Sequence, residues 1–318
     1  MYPNSGLPEY TDFPEPVAQN DDEILVSVKA AALKRFDKSR AGGTHYSSDA
    51  PKANGRIIGG DGVCILPDGR RVYGLGESGM MAEKALIEKD RMVIIPDGLD
   101  DVTAAALPNA VIGSAMGLKF KADIQPGDVV LVNGATGFTG SMAVQLAKHY
   151  GAGKIIATGR NGQQLEALKQ LGANEVIQIT GNDEEFLSQI KAVHHETPID
   201  IVIDYLWGHT AEMILSCFKG DGSFSNKIRY VSIGAMSGET IPLSAQLLRS
   251  INIQLTGSGL GAWTKEQVKF LFTGILPEAF DLAAAGKLKV ETQTVQLKDI
   301  AKLWDMEIDS AKRLVIEI

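Results

Sequence analysis

Three glycines, Gly134, Gly137 and Gly140, stand at three-residue intervals between the apolar run Val129 to Val132 and the periodic segment Met142 to His149. Glycines so placed let a chain turn sharply out of a strand and bring its backbone close to a ligand. The N–H groups that open the following helix offer a positive end to an anion. A polar turn, Gln125-Pro126-Gly127-Asp128, leads into the first run, and a second apolar run, Lys154 to Thr158, ends at Gly159-Arg160. A glycine pattern alone is a weak signal, but strand, glycine loop, helix and strand in this order point to a pyrophosphate-binding unit. In the NAD-binding form an acid stands roughly 20 residues past the glycines and takes the ribose hydroxyls. Here that place reads Gly159-Arg160-Asn161, with no acid. A guanidinium suits a 2′-phosphate that a carboxylate would repel, so the expected dinucleotide is NADPH. Arg160 as a solvated turn residue is the plainer alternative.

The elements that must position this loop follow from hydrophobic patterning. From Asp128 onward strands and helices alternate: Ile199 to Asp204, a turn at Gly208 with a helix from Thr210, then Arg229 to Gly234 and Ile251 to Thr256. A right-handed doubly wound parallel sheet accounts for that order. The first hundred residues lack it. Ile24 to Ala32, Ile57 to Ile65 and Arg70 to Gly74 alternate like strands, with Asp68-Gly69 as a hairpin turn and two further short strands at Ala82 to Ile87 and Met92 to Ile95. Asp100 to Gly117 and Lys265 to Ala285 read as helical, and Lys289 to Leu297 with Arg313 to Ile318 as strands that return to the first domain.

Composition narrows the class. A chain of 318 residues with 44% hydrophobic and 22% charged content is expected to form two soluble domains. A formal net charge of −8 argues against nucleic-acid and anionic-membrane partners. The Pro-rich, acidic opening has no signal-peptide core and no apolar stretch is long enough to span a bilayer. Cys64 and Cys217, far apart, suit a reducing compartment, so a cytoplasmic location is expected.

The whole arrangement resembles the medium-chain dehydrogenase/reductase superfamily, in its zinc-free quinone-oxidoreductase-like branch. The resemblance rests on EILVSVKAAALKRFDKSRAGG (23–43), GGDGV (59–63), GRRVYG (69–74), IIPDGLDDVTAAALPNAVIGSAMGL (94–118), VLVNGATGFTG (130–140) and IDIVIDYLWG (199–208). It implies a Rossmann NADP-binding domain over 110–258, and a mostly antiparallel, GroES-like, partly barrel domain over 1–109 and 259–318 for substrate. Zinc-dependent members use Cys and His ligands. Gly60 stands where the His is expected and there is no cysteine cluster, so no metal is expected. Lys34 and Arg35 stand where the family often has an Asn followed by a Tyr or small residue.

Without a Lewis acid, reduction of a plain ketone is hard, whereas a quinone or an α,β-unsaturated carbonyl spreads the developing charge. The expected activity is therefore NADPH-dependent hydride transfer to such small molecules. An alcohol dehydrogenase-like or enoyl-thioester reductase, and an NADPH-binding sensor or subunit with little catalysis, are the alternatives. Lys34, Arg35 and Tyr46 are the candidate catalytic residues, among the basic and polar groups Lys38, Arg40 and His45, with a solvated face as the bland reading. By resemblance Gly134, Gly137, Phe138, Thr139 and Gly140 line the pyrophosphate, and Gly159, Arg160 and Asn161 surround the adenosine ribose. Asp204, Tyr205, Gly234, Ala235 and Ser258 lie at strand ends toward the cofactor. The last strand of the sheet is an apolar edge, and the family pairs through it, so a homodimer is expected.

Overall fold

The computed structural model describes residues 8–42, 55–220, 222, 225–304 and 308–318. The chain divides into two compact units, 1–108 with 272–318 and 109–271.

In the first unit the strands β1 (Glu23–Leu33), β2 (Asp61–Ile65), β3 (Arg71–Gly76), β4 (Lys84–Ile94), β11 (Glu291–Gln296) and β12 (Lys312–Glu317) form one sheet in the order β11-β12-β1-β2-β3-β4. β1 also pairs with β4, so the first four strands close on themselves. All pairings are antiparallel except β11 with β12. Val26 and Val28 point inward while Ser27 and Lys29 are exposed; from Ala30 onward every residue of β1 is buried. A register shift between Val28 and Ala30 bends the strand there, as an extra residue in a ladder does. The hairpin turn at Asp68-Gly69 is as the sequence suggests: Gly69 has φ +88° and Asp68 accepts from the Arg70 N–H. One expectation is corrected here. Residues 84–94 make one eleven-residue strand instead of two short ones, because both halves find partners, β1 for the first and β3 for the second. The basic run after β1 is a helix, α1 (Arg35–Ala41).

α2 (Asp101–Met116) carries the chain from one unit to the other, the division falling at Pro108. In the second unit β5 (Val129–Asn133), β6 (Lys154–Gly159), β7 (Glu175–Gln178), β8 (Ile201–Asp204), β9 (Ile228–Ser232) and β10 (Ile253–Gly257) are all parallel, in the order β10-β9-β8-β5-β6-β7. α3 (Phe138–His149), α4 (Gly162–Leu171), α5 (Asp183–Glu196), α6 (Gly208–Cys217) and α7 (Ala245–Ser250) connect them. β5 and β8 are buried throughout, which is why they read as unbroken apolar runs. The order reverses between β5 and β8, and ligands of such sheets bind outside the strand ends at that point.

The return to the first unit falls at Leu271/Phe272, not at 258/259. Residues 259–271 stay with the second unit, held by Lys121 Nζ on the Ala262 carbonyl and by the edge-on rings of Phe120 and Phe270. A single helical stretch was expected over 265–285. It is broken into α8 (Lys265–Phe270), a wider π turn at Leu271–Ile275, and α9 (Leu276–Ala284), with the crossing inside the π turn. The last helix, α10 (Ile300–Leu303), precedes β12.

Candidate functional site

β5 ends at Asn133 and the chain turns at Gly134, whose φ of +86° is open to glycine and strained for other residues. Gly140 lies in the first turn of α3, where a Cβ would come 2.3 Å from the Gly134 carbonyl oxygen and 2.7 Å from the Ala135 Cα. The helix thus packs straight onto the loop that precedes it. Gly137 is the N-cap of α3 and contributes no side chain. α4 and α5 are built differently: Asn161 and Asn182 fill the cap with their side-chain oxygens, accepting from Gln164 and Glu185 N–H groups. α3 alone of these three leaves its end to whatever lies outside it. A pyrophosphate fits such an end, with backbone donors and the helix dipole aimed at it.

Beneath the loop the strand ends are tied by buried polar groups. Asn133 Nδ2 donates to Asp204 Oδ1 (2.7 Å) and to Thr210 Oγ1 (3.1 Å), and Thr158 Oγ1 donates to Asn133 Oδ1 (2.8 Å). Thr158 also receives the Gly134 N–H (3.3 Å), and its carbonyl takes the Ala135 N–H (2.7 Å). Asp204, fully buried, accepts four donors: Asn133, the Leu206 and Trp207 N–H groups, and the Tyr230 hydroxyl at 2.7 Å. Burial pushes its carboxyl above the ordinary range while those donors pull the other way. Trp207 is held at φ 54°, ψ −153°, a conformation uncommon for a bulky residue, and it caps α6. The strain sits at a strand end of this crevice.

The expected site residues fall into two groups. Gly134, Gly137, Phe138, Thr139 and Gly140 form the loop and the first turn of α3. Gly159 ends β6, so close to Thr136 that a Cβ would lie 2.5 Å from its methyl. Arg160 follows, exposed, its carbonyl taking Gln178 Nε2. Gly234 and Ala235 follow β9 and are half-buried. Asp204 and Tyr205, in contrast, turn their side chains inward: the Tyr205 hydroxyl meets Ser114 Oγ at 2.8 Å, and Ser114 in turn donates to the Thr139 carbonyl. Asn161 spends its side chain on capping α4, and the Ser258 hydroxyl accepts from Trp263 Nε1. All four spend their side chains on shaping the loops, Asn161 from an exposed position.

In the first unit Lys34 does not sit on a solvated face. Its side chain is 4% exposed. Its ammonium donates to the Ala32 carbonyl, pairs with Asp61 Oδ1, and lies 3.2 Å from Asp37 Oδ2. Asp37 also accepts the Lys34 N–H (2.9 Å) and the Gly60 N–H (3.3 Å), and Asp61 Oδ2 accepts the hydroxyl of the buried Tyr73 (2.6 Å). Arg35 is exposed at the start of α1, and Lys38 reaches the carbonyl of Trp304 and lies 5.3 Å from the centre of its ring. Tyr46 and His45 lie outside the described residues, as does the side chain of Arg40. Asp37, Asp61 and Tyr73 escaped the sequence reading. Asp61, an acid inside the apolar alternation of 57–65, was the available signal.

A family model described as "Zinc-binding dehydrogenase" matches residues 139–272. The quinone oxidoreductase-like protein 2 homolog of Nematostella vectensis is 29% identical over 84% of this chain and 73% of its own. The chloroplastic NADPH-dependent alkenal/one oxidoreductase of Arabidopsis thaliana is 32% identical over 52% of this chain, which spans about half of that relative (47%). Among solved structures, the Pseudomonas syringae pv. Tomato DC3000 quinone oxidoreductase aligns with a TM-score of 0.76 and 25% identity, covering 96% of this chain and 95% of the other. The chain is similar to medium-chain dehydrogenase/reductase proteins of the quinone oxidoreductase-like kind. Its two sheets are a Rossmann-like parallel sheet and a GroES-like, mostly antiparallel partial barrel. Among the described residues no three His, Cys, Asp or Glu side chains gather to hold a metal ion. Cys64 is buried, its thiol directed to the Val72 carbonyl and pushed up to about 12 by burial. Cys217 is likewise pushed up to about 11.

Proposed function

We propose that this protein is an NADPH-dependent oxidoreductase that reduces quinones or α,β-unsaturated carbonyls without zinc. The observation that carries the reading is the end of β5: a glycine turn into a helix without a side-chain cap, beside a β6 whose last residue, Gly159, is followed by an arginine instead of an acid. Backbone donors at 138–140 would take the pyrophosphate, and Arg160 the 2′-phosphate, with Gly159, Gly234 and Ala235 leaving room for the ribose and nicotinamide. When bound, NADPH supplies the hydride that reduces the acceptor. The names of the Arabidopsis and Pseudomonas relatives favour the same substrate classes.

The chain's own part is binding, orientation and a proton. A conjugated acceptor needs no Lewis acid because its charge is delocalised, so a proton from a side chain or water suffices. Lys34 has its three N–H bonds directed to Ala32, Asp37 and Asp61 and is assigned no direct donation. Arg35 and Tyr46 are the remaining candidates. The edge strand β10, with half-buried Ile253 and Leu255 and the exposed Leu248, Leu260 and Phe270 in the same unit, supports a homodimer. Among the described residues no helix is long and apolar enough to cross a membrane. The two thiols, with no disulfide between them, fit a cytoplasmic location.

The deciding experiment is oxidation of NADPH, with NADH as control, against a quinone, an α,β-unsaturated aldehyde and a saturated aldehyde. Turnover of the conjugated acceptors with NADPH preferred is the expected result. Turnover of the saturated aldehyde or an acyl thioester instead, or tight NADPH binding with no turnover, would replace this reading.

A further inference from the structure

The zinc-binding description of the matching family implies a metal, and among the described residues the first unit gathers no set of zinc ligands, its buried Cys64 thiol being held protonated by burial. It does gather oxygens around one point. The Ala32 carbonyl, Asp37 Oδ2 and Asp61 Oδ1 converge from the end of β1, from α1 and from β2, and the Lys34 ammonium is at their centre. A divalent ion and an ammonium cannot share that place.

We propose that the Lys34 ammonium is the resident cation of this unit, neutralising Asp37 and Asp61 and through them fixing the turn at Gly59–Asp61. The link to the turn is direct, because Asp37 Oδ1 accepts the Gly60 N–H while Asp61 begins β2. Asp37, Gly59 and Gly60 also wall a hollow of about 260 Å³, with Arg56, Glu77 and Ser78 on its other sides. The charges balance: Lys34 and the half-buried Arg313 face Asp37 and Asp61, with the Tyr73 hydroxyl bonded to the last, and Arg35 near Arg313. Lys34 is a positioning residue. A point charge on a tether is set by the chain itself, so the turn keeps its shape whatever metal the surroundings hold.

The titration follows from those neighbours. Burial lowers the affinity of Lys34 for its proton, but Asp37 and Asp61 outweigh it and hold the group above its ordinary 10.5. A raised lysine contributes its full stability below that value and loses it as pH climbs through the folded one, so the cluster is intact at neutral pH. Burial pushes Asp37 up in spite of Lys34. Without the ammonium Asp37 is left buried with too little compensation and binds its proton more tightly than in the unfolded chain. Stability then falls as pH rises from the carboxylate range toward neutrality.

The test uses the full-length protein and three readouts. Wild type, incubated with zinc and desalted, is expected to retain no stoichiometric metal by mass spectrometry. Lys34→Met is expected to melt roughly 10 °C lower than wild type at pH 7. That gap should narrow at pH 5, and the charge-balanced pair Lys34→Met with Asp61→Asn should recover most of it. NADPH affinity, which belongs to the other unit, should not change. The third readout rests on the reductase reading: the acceptor KM of Lys34→Met rises about tenfold while kcat changes less. Stoichiometric zinc in wild type, a melting curve of Lys34→Met parallel to wild type across pH, or an unchanged acceptor KM would each overturn the inference. If Lys34→Met fails to fold, a double variant that also fails overturns it, and one that folds supports it. A wild type that reduces no acceptor defeats the reductase reading alone, and zinc uptake with the pH curve still decides this one.

Discussion

The crevice at the end of β5 and the buried cluster around Lys34 solve the problem of presenting charge in opposite ways. The crevice works with backbone: glycines, a helix end and main-chain donors, with side chains such as Asn133 and Asp204 underneath as struts. The cluster works with ionised side chains withdrawn from water, where each charge is tolerable only because its partner is present. The difference teaches where damage should appear. A change in the crevice should register as lost NADPH affinity, and one in the cluster as altered pH dependence.

The comparison is broken most severely at Gly140. A side chain there collides with the Gly134 carbonyl, so Gly140→Val is expected to weaken NADPH binding by roughly 100-fold in a fluorescence titration. A strut comes next. Asp204→Ala leaves the donors of Asn133, Tyr230, Leu206 and Trp207 without their acceptor, and a loss of about 3 kcal/mol in denaturant unfolding is expected, together with weaker NADPH binding. If stability fell and affinity did not, the struts would be unconnected to the crevice. Arg160→Asp is expected to raise KM for NADPH about tenfold and to leave or improve that for NADH, with little change in melting temperature, since the side chain is exposed.

The smallest effect tests the pH side of the comparison. His194 accepts the Ile199 N–H on Nδ1, and burial lowers its proton affinity below the ordinary 6.5. A depressed histidine stabilises above its unfolded value and loses that contribution as pH falls through 6.5 and below. His194→Gln should therefore flatten the acid limb of the melting curve by a few degrees at most. This crevice-bearing unit then weakens on acidification, the reverse of the trend expected when Lys34 is removed from the other.

Legibility in the sequence tracked the same divide. The loop from Gly134 to Gly140, the acid-free end of β6 and the parallel strands were readable because each rests on residues adjacent in the chain. The single long β4 was not, since its continuity depends on two different partner strands. The place where the chain leaves the second unit was missed for a similar reason: Lys121 and Phe120, from far upstream, hold 262–270 in place. Asp204 and Tyr205 were located at the right strand end, but the inward direction of their side chains depends on Tyr230 and Ser114.

By itself the sequence determined the parallel sheet, the glycine turn into α3 and the replacement of an acid by Arg160, because periodicity, backbone freedom and residue charge are local properties. Only the tertiary structure decided that Lys34, read from the sequence as a candidate catalytic donor with a solvated face as the alternative, is buried between Asp37 and Asp61. Twenty-seven residues separate Lys34 from Asp61, and a basic side chain gives no local sign of a distant acid that will take it out of water.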